Sequence, residues 1–187
     1  RGGERQIWVI PMKDGRPAGP PRAITDDPSN KRNCTWSPDG SQIAYSSNGE
    51  NGTYRLWLVP AEGGTPTRLT DDYSVAPAWS PDGKVIVCPV RNVDEIGRYM
   101  SLVEVLVADG SQKIIAPNRW WHVGNVLWLR EGQGLLFTAR ERPGSPSQIY
   151  YLSYPGGNLR AITNELSDYA SISLTADSKA LAAVVSD

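Results

Sequence analysis

Apolar residues along the chain come in short runs, alternating with polar ones or standing four or five together. Gln42-Ile43-Ala44-Tyr45-Ser46, Val85-Ile86-Val87-Cys88, Gly134-Leu135-Leu136-Phe137-Thr138 and Ala180-Leu181-Ala182-Ala183-Val184 form one set. Ile7-Trp8-Val9-Ile10, Leu56-Trp57-Leu58-Val59, Leu102-Val103-Glu104-Val105-Leu106 and Ile149-Tyr150-Tyr151-Leu152 form a second. Runs of this length, rich in β-branched and aromatic residues and bounded by Gly, Pro, Asn or Asp, predict strands. No stripe at helical spacing is long enough to compete. The chain is predicted to be all-β.

The runs recur with a period. Thr35-Trp36-Ser37-Pro38-Asp39-Gly40 returns as Ala78-Trp79-Ser80-Pro81-Asp82-Gly83, then more loosely as Leu127-Trp128-Leu129-Arg130-Glu131-Gly132 and Ser173-Leu174-Thr175-Ala176-Asp177-Ser178. From Trp36 through Trp79 and Trp128 to Leu174 the steps are 43, 49 and 46 residues. A second marker, an apolar residue followed by Thr, appears as Ile24-Thr25, Leu69-Thr70 and Ile162-Thr163, with Ile115-Ala116 in the remaining slot. Two interleaved markers with one period mean stacked supersecondary units. In each corner Pro fixes φ, Asp bonds the backbone two residues on, and Gly takes the positive φ. Each unit reads as four short antiparallel strands, the pattern of a β-propeller blade. Trp36, Trp79 and Trp128 follow the repeat phase and are expected in the core between blades.

The Trp-Ser-Pro-Asp-Gly turn, the Ile-Trp or Leu-Trp third strand and the Leu-Thr-Asp-Asp ending resemble the WD40-like propeller repeat of TolB-type proteins. The same repeat occurs in propellers of tricorn-type and prolyl-oligopeptidase-type peptidases. The resemblance covers essentially the whole chain, closely in the first two copies and loosely in the last two. The stretch from Gly134 to Ala183 also resembles propellers attached to bacterial membrane-anchored Ser/Thr kinases. What the resemblance implies is a propeller scaffold in a bacterial, periplasmic or extracytoplasmic setting.

Residues 1–187 read as one propeller domain or a fragment of one. Four first-and-second-strand pairs and four third-and-fourth-strand pairs are present, so about four blades are expected, one of them split between the termini. Such a ring could close on itself, close as eight blades with a second copy, or form part of a larger propeller. In each case an open blade edge invites pairing, including self-association.

Composition trims the functional choices. Nineteen basic residues against twenty acidic leave a net charge of −1, which gives no general pull toward nucleic acid or an anionic membrane. No apolar run approaches the ~20 residues of a membrane span, and Arg1-Gly2-Gly3-Glu4-Arg5 lacks the apolar core of a signal peptide. Cys34 and Cys88 allow at most one disulfide. With two distant cysteines and the one histidine, His122, a zinc site is implausible, and no metal or cofactor is expected. No Gly-x-Ser-x-Gly elbow, His-Arg-Asp or Asp-Phe-Gly motif is present, so no catalytic residue is assigned.

Two sets of binding candidates remain. Asp26-Asp27, Asp71-Asp72 and Asn164-Glu165 follow the apolar-Thr marker, which puts them on one face of a propeller. Gathered there they could bind a hard cation or a peptide amino group, or each Asp could instead bond its own turn. Arg119-Trp120-Trp121-His122 holds the matching place in the third repeat. An exposed aromatic-basic cluster on a rigid loop has the composition of a binding hot spot. The longer loop Asn92-Val93-Asp94-Glu95-Ile96-Gly97-Arg98 adds a feature on that face. The reading is a non-catalytic propeller that binds a protein or peptide through its loop face or channel. The alternative is a regulatory or gating propeller of a larger enzyme, a peptidase or a receptor-like Ser/Thr kinase.

Overall fold

The Ser-Pro-Asp-Gly corners close by side-chain hydrogen bonding. Ser37 Oγ donates to Asp39 Oδ1 at 2.6 Å and accepts from the Gln42 amide at 2.9 Å. Ser80, Asp82 and Val85 repeat that arrangement, and Thr175, Asp177 and Ala180 repeat it with a threonine. Gly40 and Gly83 both take φ of 71°, the left-handed region that a side chain disfavours. The hydroxyl and carboxylate thus serve turn amides that would otherwise lack partners.

A computed structural model describes residues 4–49 and 51–186, so the opening residues read above for a leader lie partly outside it. Among the described residues there are eighteen strands and no helix. Strands β1 (Trp8–Val9) and β4 (Arg22–Ala23) pair antiparallel, and a small hairpin of β2 (Met12–Lys13) and β3 (Arg16–Pro17) lies between them in sequence. Three complete blades follow. The first is β5 (Lys31–Trp36), β6 (Gln42–Ser47), β7 (Arg55–Pro60) and β8 (Thr67–Arg68). The second is β9 (Ala78–Trp79), β10 (Val85–Asp94), β11 (Gly97–Leu106) and β12 (Gln112–Trp120). The third is β13 (His122–Trp128), β14 (Gly134–Arg140), β15 (Gln148–Ser153) and β16 (Leu159–Ala161). Strands β17 (Asp168–Leu174) and β18 (Leu181–Ser186) end the series as a hairpin. Each of the three complete blades runs in sequential, antiparallel order.

The apolar-Thr marker has a specific task. Strand four stops just short of the marker, and the threonine hydroxyl then accepts an amide at the start of strand three. Thr25 serves Ile7 at 3.0 Å, Thr70 serves Leu56 at 2.9 Å and Thr163 serves Ile149 at 2.9 Å. The third repeat has Ala116 in this slot because β12 does not stop: it stays in the sheet, with Ala116 opposite Leu102 and Trp120 opposite Met100. A backbone ladder replaces the hydroxyl.

The core lies between blades. Trp79 packs with Ala44, Leu56 and Leu58 of the blade before it, and Trp128 donates from Nε1 to the carbonyl of Ala78 at 3.0 Å. Trp36 departs from its expected place and is 49% exposed. The physical reason is its neighbour, because among the described residues the preceding unit supplies β1 and β4 but no first and second strands to receive the indole. The same incompleteness shows at the other end. Strand β18 has the apolar sequence of a central strand yet pairs only with β17 among the described residues, leaving Val184 and Val185 exposed. Among the described residues the halves expected to form one split blade lie in separate sheets, β1 with β4 and β17 with β18, and do not close a four-bladed ring.

Candidate functional site

The acidic loops are built to satisfy themselves. A side chain at the start of strand three reaches over and donates to a carbonyl of the acidic segment: Gln6 Nε2 to Asp27 at 2.7 Å, Arg55 Nε to Asp71 at 2.8 Å, and Gln148 Nε2 to Glu165 at 3.0 Å. Asp27 also pairs at 2.7 Å with the ammonium of Lys31, whose side chain is almost fully buried. Burial alone raises the Asp27 pKa, but hydrogen bonds from Lys31 and Ser29 and the Lys31 charge outweigh it, so the net shift is downward. Asp71 pairs with Arg68 at 2.8 Å. Asp26, Asp72 and Asn164 are exposed. Asp26 and Asp27 line a cavity of about 460 Å³ that includes neither Asp71, Asp72 nor Glu165. Among the described residues no group of three or more His, Cys, Asp or Glu side chains could hold a metal ion.

The third repeat is different. Its expected long loop, residues 92–98, is the tip of an extended hairpin in which β10 and β11 each run ten residues and Asp94 faces Gly97. Asp94 Oδ1 accepts the amide of Ile96 at 2.9 Å and closes the tip. Strand β12 follows the extension to Trp120, and the chain enters β13 after a single residue, Trp121. Hence no acidic pair stands here: there is no loop to hold one.

This geometry separates the four candidates. Trp120, expected to be exposed, is 1% exposed and belongs to the core. Its ring meets Phe137 edge-on at 5.3 Å and Tyr150 at 6.1 Å, in the packing of the next blade. The reason is its place on β12 opposite Met100, which turns the indole between the two sheets. Arg119 is also committed. Its Nη2 donates to Asp94 Oδ1 at 2.9 Å, and its guanidinium lies 3.8 Å from the Tyr99 ring centroid. The hydrogen bond from Arg119 holds the Asp94 carboxyl down at about 2. Trp121 and His122 are exposed.

Trp121 and His122 line a cavity of about 430 Å³ together with Arg91, Arg98, Tyr99 and Arg140. His122 sits opposite Arg140 on the β13–β14 ladder, and partial loss of solvent on its cavity side, reinforced by the Arg140 charge, lowers the imidazole pKa. Arg91 stacks on Tyr73 with 3.8 Å to the ring centroid. Arg140 donates from Nη2 to Asp168 at 2.8 Å. Arg91, Arg98 and Arg140 were not assigned to a site from sequence. Arg98 lies in the long segment flagged there. Arg91 and Arg140 stand on different blades, and only the fold brings them together.

The fold is that of the TolB-type β-propellers. TolB from Acinetobacter baumannii superposes with a TM-score of 0.71 at 23% identity, over 91% of this chain and 40% of that one. In sequence, the chain is 41% identical over 135 residues to the uncharacterized protein Atu1656 of Agrobacterium fabrum, across 68% of this chain and 42% of that protein. It is 26% identical over 175 residues to the uncharacterized peptidase YuxL of Bacillus subtilis, across 92% of this chain and 24% of that protein. No protein-family model matches the chain. The chain spans less than half the length of each of these relatives.

Proposed function

We propose that residues 1–187 act as one non-catalytic propeller module that binds a protein or peptide through its loop face, at the cavity beside Trp121. The observation that carries this reading is the gathering of an exposed indole and arginine side chains in one cavity with no acidic side chain in its lining. In the acidic loops Asp27 and Asp71 are taken up in ion pairs with Lys31 and Arg68, whereas the cavity presents an exposed indole beside Arg91 and Arg98, which have no ion pair among the described residues. Aromatic and arginine side chains held on a rigid frame are the usual anchors of protein recognition. A second reading, a gating propeller of a larger peptidase, draws support from the likeness to YuxL and the small share of it that the chain spans. Under that reading the exposed edge of β18 pairs with a strand outside this chain.

Panning a random peptide library on the chain tests the first reading. Enriched peptides should lose binding in Trp121→Ser and keep it in Val184→Lys, which places a charge on the β18 edge. Failure to enrich any peptide contradicts the loop-face reading. So does enrichment that survives Trp121→Ser and is lost in Val184→Lys, which would put recognition on the strand edge.

A further inference from the structure

We infer that the cavity beside Trp121 is an anion site whose ligand is the carboxylate of an acidic peptide, held by Arg91 and Arg98 against an aromatic wall. The inference rests on the loop-face reading above and names the chemistry of its partner.

Charge is the first argument. Three arginines, Arg91, Arg98 and Arg140, line the cavity beside the His122 imidazole, and no acidic side chain does. The nearby carboxylates are engaged elsewhere. Asp94 holds Arg119, Asp168 accepts from Arg140 and from the Ser147 amide, and Glu141 accepts from the Tyr150 hydroxyl at 3.0 Å. Arg91 and Arg98 have no ion pair among the described residues. In a chain whose charges nearly cancel, this is a local positive excess in a recess, where field lines concentrate and an anion is drawn in.

Unmet hydrogen bonding is the second. The Nε–H of Arg140 is buried and has no acceptor, although the same guanidinium donates to Asp168 from Nη2. Native structures rarely leave a buried donor unsatisfied, and Arg140 carries this one where the cavity beside Trp121 adjoins a second cavity lined by Asp168. Rigidity is the third. Arg91 faces Met100 and Arg98 faces Val93 on the β10–β11 ladder, and Arg140 faces His122 at the end of β14. Stacking on Tyr73 further restrains Arg91. Donors carried on paired strands lose less freedom on binding than donors on loose loops.

The walls separate a peptide carboxylate from a bare inorganic anion. Trp121 is 50% exposed at the cavity, and its neighbour Tyr99 is held by Arg119. The indole offers flat apolar surface that a phosphate ion would leave unused. A volume of about 430 Å³ has room for a carboxylate and a neighbouring apolar side chain. Guanidinium groups suit the carboxylate because their fork matches its two oxygens.

Calorimetric titration of the whole chain with acetyl-Phe-Glu-amide and its isostere acetyl-Phe-Gln-amide tests the inference. The Glu peptide should bind about tenfold more tightly than the Gln peptide, the size expected of a charge-assisted hydrogen bond. Arg98→Gln should remove most of that preference. Arg98 is exposed and makes no ion pair among the described residues, so this variant should fold normally, and its melting curve checks that. Arg91→Gln should act in the same direction, and inorganic phosphate should compete with the Glu peptide alone. Acetyl-Phe-Gln with a free C-terminus shows whether a terminal carboxylate replaces the side chain. Equal binding of the Glu and Gln peptides overturns the inference, as does a preference that survives the Arg91→Gln plus Arg98→Gln double variant. If neither probe binds while library peptides still depend on Trp121, the anion chemistry is wrong and the loop-face reading stands. If no peptide binds at all, both fall.

Discussion

The acidic loops and the link from β12 to β13 occupy equivalent places in the repeat, yet they differ in both structure and charge. In the loops, threonine hydroxyls, Gln or Arg caps and the Lys31 ammonium use up the polar groups locally. In the third repeat the strand continues, the cap is unnecessary, and arginines from two blades meet with no acid among the cavity lining. What recurs in this chain builds turns. What departs from the repeat is free to bind.

The sharpest way to break this contrast lies in two adjacent residues. Trp120→Ala should cost ~3–5 kcal/mol, the usual loss for a buried large aromatic, because it empties the contact with Phe137 and Tyr150. Trp121→Ala should change stability by no more than ~0.5 kcal/mol, as for an ordinary surface residue. Chemical denaturation of the two variants measures both. Comparable losses would show that Trp121 is structural and would remove it from the site.

A smaller effect checks the marker chemistry. Thr70→Val leaves the buried amide of Leu56 without its acceptor and should cost ~1–3 kcal/mol by denaturant unfolding. Ala116→Ser should bring no matching gain, since Ala116 already lies within a backbone ladder.

Acid titration separates the corners. Hydrogen bonds from Ser37 and Ser41 hold the Asp39 carboxyl down at about 2, and Asp82 and Asp177 are lowered by their own Ser80 and Thr175 partners. A carboxyl whose folded pKa lies below its unfolded value stabilises the fold above that unfolded value, and this is lost as pH falls through the folded one. For Asp39 the loss should fall between about pH 4 and pH 2, and Asp39→Asn should flatten that part of the stability profile. A profile unchanged by Asp39→Asn would remove the corner from the account. The smallest effect belongs to Asp26→Asn plus Asp71→Asn. The Arg68–Asp71 pair is exposed on both sides and worth little, so melting and peptide binding should barely move.

Much of the fold was legible because its markers carry hydrogen-bond chemistry that leaves few alternatives. A Ser two residues before Asp, or a Thr ending a strand, has a stereotyped partner. Packing was less legible. Trp36 and Trp79 read alike, and only the missing inner strands beside Trp36 set them apart. Trp120 and Trp121 are neighbours in an extended chain and so face opposite ways, but nothing in the sequence says which one faces the core. The cavity was half legible. Trp121 and His122 stood in a visible cluster, whereas Arg91 and Arg140 look like ordinary residues near strand ends until two blades are set side by side.

The most direct test uses the two tryptophans with nearly equal exposure, Trp121 at 50% and Trp36 at 49%. Their indole N–H signals can be followed by NMR during a titration with acetyl-Phe-Glu-amide, with each assigned by substitution to Phe. The account predicts a saturable shift of the Trp121 signal and none of the Trp36 signal. A response at Trp36 with Trp121 unmoved would place recognition at the open end of the blade series and contradict it.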